Sequence, residues 1–138
     1  TMNVTKLPFN EFIGIKYADN SHYLLMLDNR PEYHNHLDTV HASAMFALAE
    51  ATSGYYLLGQ FAGLSDIVPV VRKVELKYRK PAVGVVYSNA KLQNIDPEEV
   101  LEALNQKGRA LLGVEVSLFN EEGVLVMQSL FEWFVTKG

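Results

Sequence analysis

The stretch HNHLDTVHASAMFALAE, residues 34 to 50, holds three of the chain's four histidines, an aspartate and, at the far end of an apolar run, one glutamate. Two kinds of chemistry are open to it. Alternating His34, His36 and Asp38 have the residue types that chelate zinc. Glu50 raises a different question, because burying a charged carboxylate is costly unless it is paired or hydrogen-bonded. It therefore sits on a solvated edge of its helix, or it is kept for chemistry as a general base or nucleophile with a raised pKa. Other reactive groups are few. There is no cysteine, which removes disulfides, thiolate nucleophiles and thiolate zinc sites. No GxSxG elbow and no Gly-rich phosphate loop of either common type is present.

The elements that must position these groups follow from periodicity. Residues 6 to 20 read as a short helical lead-in and a turn, 22–28 as a strand, and 29–39 as loop. From about residue 40 to 59 the pattern is helical but apolar nearly all the way round, as expected for a helix buried on most sides. Ser43, Ala47, Glu50 and Gly54 fall on one face of it, and Gly59 and Gly63 are expected to end it. In 69–81 the even positions Val70, Val74, Leu76 and Tyr78 are apolar, with Arg72 the exception, and the odd positions Lys73, Glu75, Lys77 and Arg79 are charged. That alternation predicts an antiparallel strand with one wet face. Residues 83–95 form another strand, and 96–108 a helix capped by Asp96, with Pro97 at its first position and Gly108 at its end. Strands at 109–120 and 124–135 are joined by the turn Asn-Glu-Glu-Gly. A strand, a long buried helix and then four strands with one short helix inserted favour an α+β fold. Five antiparallel strands would curl around the apolar helix.

Composition sets the outer limits. The 138 residues suit one domain, 1–138, with 49% apolar and 20% charged residues and a net charge of −4. Nothing here marks a nucleic-acid footprint or a polybasic membrane anchor. The N-terminus lacks the basic start and apolar run of a signal peptide, and apolar runs fall far below the roughly 20 residues of a membrane span. A cytoplasmic location is expected. The last strand is apolar on both faces, through Leu125, Met127, Phe131, Trp133 and Val135 and through Val126, Leu130 and Phe134. That predicts a subunit contact in a dimer or tetramer. The basic residues Arg72, Lys73, Lys77, Arg79 and Lys80 make a strand face that is solvated or, beside a pocket, holds the phosphates of a coenzyme A nucleotide.

Three resemblances bear on function. His34-x-His36-x-Asp38 resembles the HxHxDH run of metallo-β-lactamase-type hydrolases. Here, however, Thr39 replaces the last His, no histidine follows His41, and the chain is too short for that two-layered fold, so no metal is expected. Asn35, His41, Ala42 and Glu50 resemble the hotdog-fold thioesterases, in particular the phenylacetate-pathway type. An Asn there precedes a His-Gly-Gly by six residues and an acid follows that His by nine. The run LKYRKPAVG (76–84) is similar to that family's strand and Pro-Ala-x-Gly turn. The likeness spans roughly residues 8 to 136. Asn35, His36, Thr39, Ala42, Ala44, Ala47, Leu48, Ala49 and Glu50 also resemble an uncharacterised branch of the same superfamily.

The hotdog resemblance implies an acyl-CoA or acyl-carrier thioesterase with no cofactor beyond the coenzyme A of its substrate. Glu50 would activate water or attack the thioester, and Asn35 would orient the water or carbonyl. The helix start at His41, Ala42 and Ser43 would hold the oxyanion, with His36 among the substrate-binding residues. Arg72, Lys73, Arg79 and Lys80 are the candidates for the nucleotide phosphates. The site would lie between two subunits of a homodimer or a tetramer. The glycines of His-Gly-Gly are replaced by Ala42-Ser43, which restricts the approach to the backbone and keeps open a non-catalytic acyl-binding protein. A third reading is a hydroxyacyl dehydratase, in which a His lies fourteen residues before the helix acid, as His36 does before Glu50. The Phe-Pro-Gly signature of that family is absent.

Overall fold

The computed structural model describes residues 2–61, 66–93 and 95–138. Gly63, expected to help end the long helix, lies outside them. A six-residue helix α1 (Pro8–Ile13) starts on a proline and stops at Gly14, whose φ of 92° is left-handed. Strands β1 (Lys16–Tyr17) and β2 (Leu25–Leu27) lead through an irregular segment to α2 (Ala42–Gln60). Then come β3 (Ile67–Tyr78), β4 (Val86–Gln93), α3 (Pro97–Lys107), β5 (Arg109–Phe119) and β6 (Leu125–Lys137).

Helix α3 begins where its local signals place it. The Asp96 carboxylate accepts from the N–H groups of Glu98 and Glu99 at 3.0 and 3.3 Å, and Gly108 closes the helix with φ 72°. The β5–β6 turn rests on Asn120, whose side-chain oxygen accepts from the N–H groups of Glu122 and Val124.

All strands join one antiparallel sheet in the order β1-β2-β4-β5-β6-β3. The sheet has six strands, not five, because β1 adds a sixth; a two-residue strand carries no periodicity to read. Helix α2 lies against its concave side, with Leu48, Ala49 and Leu57 fully buried among Val114, Val116, Met127 and Phe131. That is why α2 needs so little polar surface. Its outward strip of Ala42, Ser43 and Glu50 is exposed.

Strand β3 departs from the simple alternation expected of it. Its even face does not point inward throughout. Val70 is 54% exposed, while Ile67, Pro69 and Val71 are half-buried. The pairing with β6 slips between Val71 and Lys73, a bulge at Arg72. Before it the odd residues Ile67 and Val71 pack against the core; after it the even residues Val74 and Leu76 do. On the convex side, Val70 and Leu111, 54% and 46% exposed, flank Phe134, so β6 carries apolar surface there as well as on its inner face.

Candidate active site

The loop before α2 is built by Asn35. Its side-chain oxygen accepts from the N–H groups of Leu37 and Thr39 at 2.9 and 3.1 Å, and its amide nitrogen donates to the Thr39 hydroxyl at 2.9 Å. This turn lets Asp38 take a left-handed φ of 59°. Both ends of the Asn35 carboxamide are thus engaged within the loop. The Val40 N–H donates to the Ala82 carbonyl and the His41 N–H to the Tyr33 carbonyl, which fixes where the helix starts.

His41 is the cap of α2. Its Nδ1 accepts from the Ser43 N–H at 2.9 Å, and its carbonyl accepts from Ala44 and Met45. Among the described residues, that leaves the Ala42 N–H as the donor of the first turn with no acceptor in the protein. The oxyanion pair expected from Ala42 and Ser43 is therefore reduced to one free backbone donor while the His41 cap holds.

Glu50 stands two turns further along the same face and is exposed. It opens into a cleft of about 540 Å³ walled by Phe9, Ala42, Ser43, Phe46, Ala47 and Tyr78. A second cleft of about 310 Å³ lies on the other side of the helix start, lined by Asn35, Leu37, Thr39, Met45, Arg79, Lys80 and Pro81 among others. Ala42 and Tyr78 belong to both. A third, of about 350 Å³, adjoins the first beneath Phe9 and reaches Ile13, Glu32, Tyr33, His34 and His41.

The four phosphate candidates do not act as one patch. Arg79 and Lys80 line the second cleft, and the Arg79 Nε donates to the Gln128 side-chain oxygen at 2.9 Å. Arg72 lies about 20 Å up the strand, paired with Glu132 at 3.6 Å, and Lys73 pairs with Glu75 at 3.1 Å. His36 is exposed in the loop and does not line the Glu50 cleft. Among the described residues, no three His, Asp or Glu side chains gather as metal ligands would.

Two residues at the site were not singled out from sequence. Phe9, 60% exposed, overhangs the Glu50 cleft from α1. Tyr78 ends β3, and its hydroxyl donates to the Ala42 carbonyl at 3.1 Å. Its only sequence signal is the pattern that placed it on an inward strand face.

A family described as a domain of unknown function, DUF4442, matches residues 3–135. Among curated proteins no sequence matches significantly. Solved structures do. A Pseudomonas aeruginosa protein described as a probable thioesterase superposes with a TM-score of 0.81 at 22% identity, over 98% of this chain and 91% of the other. A Haemophilus influenzae thioesterase gives 0.73 at 16% identity, over 99% and 92%. A hypothetical thioesterase from Streptococcus pneumoniae, crystallised with coenzyme A, gives 0.61 at 20% identity, over 82% and 77%. The fold they share with this chain is the hotdog: an antiparallel sheet around one long helix.

Proposed function

The chain belongs to the DUF4442 domain family, and from that premise we propose that it is a thioester hydrolase acting on acyl-CoA, with Glu50 as general base or nucleophile. The observation that carries this reading is the placement of Glu50. A carboxylate set in an apolar helix opens into a cleft whose wall includes a free backbone donor, and this cleft shares Ala42 and Tyr78 with a second one bearing Arg79 and Lys80. Cations and a free donor on one chain match the phosphates and the carbonyl of a coenzyme A thioester, and the carboxylate is the attacking group that a second copy would bring to that donor. The thioesterase folds that superpose on the chain, one of them holding coenzyme A, favour the same substrate class.

Distance then dictates the assembly. Ala42 and Glu50 are eight residues apart, about 12 Å along a helix. A donor and a base acting on one carbonyl must each lie about 3 Å from it. One copy of α2 cannot supply both. A homodimer with antiparallel α2 helices brings Glu50 of one protomer to Ala42 of the other, and gives a single-domain chain two equal sites. The exposed aromatics of α1, Phe9 at 60% on the cleft wall and Phe12 at 84%, are surface of the kind a partner covers. In this arrangement Asn35 and His41 shape and cap the helix start and do not touch the reacting atoms.

The test is thiol release from short, long and aryl acyl-CoAs. Wild type should turn over at least one class, and Glu50→Gln should lose that activity. Ala42→Pro removes the free N–H at a helix position that tolerates proline, and it should also be inactive. Mixing the two inactive variants should restore activity, because a heterodimer holds one intact site. Turnover by a species that light scattering shows to be monomeric would overturn the shared site. Absence of wild-type turnover would overturn the hydrolase.

A further inference from the structure

The His41 cap leaves the proposed oxyanion site one backbone donor short, and the residue placed to replace it is Tyr78. Its ring forms the shared wall of the Glu50 cleft and the Arg79–Lys80 cleft, together with Ala42. A molecule whose phosphates rest on Arg79 and Lys80, and whose carbonyl meets the Ala42 N–H, lies along this wall. Its hydroxyl already sits at the helix start, donating to the Ala42 carbonyl at 3.1 Å, on the same residue whose N–H is free. That carbonyl also belongs to the first turn of α2, so the phenol can leave it without orphaning a buried acceptor. Burial pushes the Tyr78 phenol up from its ordinary value, so it stays protonated at neutral pH and can donate.

We propose that Tyr78 is a catalytic residue of the thioesterase, its hydroxyl exchanging the Ala42 carbonyl for the substrate's thioester oxygen and stabilising the oxyanion together with the Ala42 N–H. The inference rests on the hydrolase reading above and adds to it the donor that the Ala42-Ser43 sequence withholds. In the step concerned, a water oxygen forms a bond to the carbonyl carbon as its proton passes to the Glu50 carboxylate, and the carbonyl π pair moves onto oxygen, where the N–H and O–H donors meet it. Collapse then expels the coenzyme A thiolate. Tyr78 transfers no proton in this scheme.

Tyr78→Phe keeps the ring and removes only the donor. Loss of one oxyanion donor lowers kcat about 10²-fold, so kcat should fall by roughly that factor. KM for the same acyl-CoA should stay within about twofold of wild type, because uniform binding is untouched. Coenzyme A binding by calorimetry and the melting temperature should be unchanged. A purely structural tyrosine would instead lower the melting temperature and leave kcat intact in the folded fraction. If Tyr78→Phe turns over as fast as wild type while Glu50→Gln is inactive, the hydrolase stands and this role for Tyr78 falls. If wild type turns over no thioester, both fall.

Discussion

The inward and outward faces of α2 handle polar groups in opposite ways. Inward, every polar side chain is matched. The Thr52 hydroxyl lies 2.6 Å from that of Ser88 and donates to the Leu48 carbonyl at 2.8 Å. The Ser53 hydroxyl donates to the Glu50 carbonyl and accepts from the Trp133 indole at 3.3 Å. Among the described residues, no buried side-chain nitrogen or oxygen lacks a partner. Outward, Glu50 and the Ala42 N–H face clefts. Matched groups inside a core orient the elements that carry them. Unmatched groups at a cleft are what a ligand can satisfy. The two faces of one helix thus separate what holds the fold from what is free to act.

Substitutions on the two faces should fail differently. The largest effect is expected outward: Glu50→Gln should lower kcat by about 10²–10⁴-fold, the range for a lost general base, with an unchanged urea midpoint. A midpoint that collapsed with the activity would erase the distinction. Next come the cations. Arg79→Ala and Lys80→Ala should each raise KM for acyl-CoA about tenfold, as loss of a charge-assisted contact does. Neither should change KM for the matching acyl-pantetheine, which lacks the nucleotide. Arg72→Ala and Lys73→Ala should alter neither; an equal effect from all four would restore the single basic patch. The smallest change is inward. Thr52→Val removes one partner from a buried pair and should cost about 1 kcal/mol of stability, read by urea unfolding, with kcat preserved.

Much of this was legible beforehand, and the reasons differ by region. Helix α3 was clear because its signals are local: Asp96, Pro97 and Gly108 act on their own neighbours. The burial of α2 followed from helical spacing alone, which put Glu50 on one face with Ser43 but left open whether that face met solvent. Three other points depend on geometry that residue spacing does not carry. The spacing that singled out Asn35 says nothing of where its carboxamide points, and the loop closure to Thr39 takes both ends of it. The four phosphate candidates, two on β3 and two just beyond it, are near in sequence, but an extended chain spreads them over about 20 Å. Tyr78 looked like one more apolar residue in an alternation, and only the fold sets its hydroxyl against α2.

The bulge at Arg72 acts on Tyr78 as a half-period phase shift. Strand side chains alternate with period two, so one extra residue swaps the faces of everything downstream. In the register of Ile67, Pro69 and Val71, the residues facing the helix would continue as 73, 75 and 77, and the tyrosine would point to solvent. With Arg72 inserted, the phase reverses and the ring arrives beside Ala42. A residue that touches nothing at the site thereby sets which side of the strand reaches it, and deleting Arg72 would turn Tyr78 away without changing any group in the clefts.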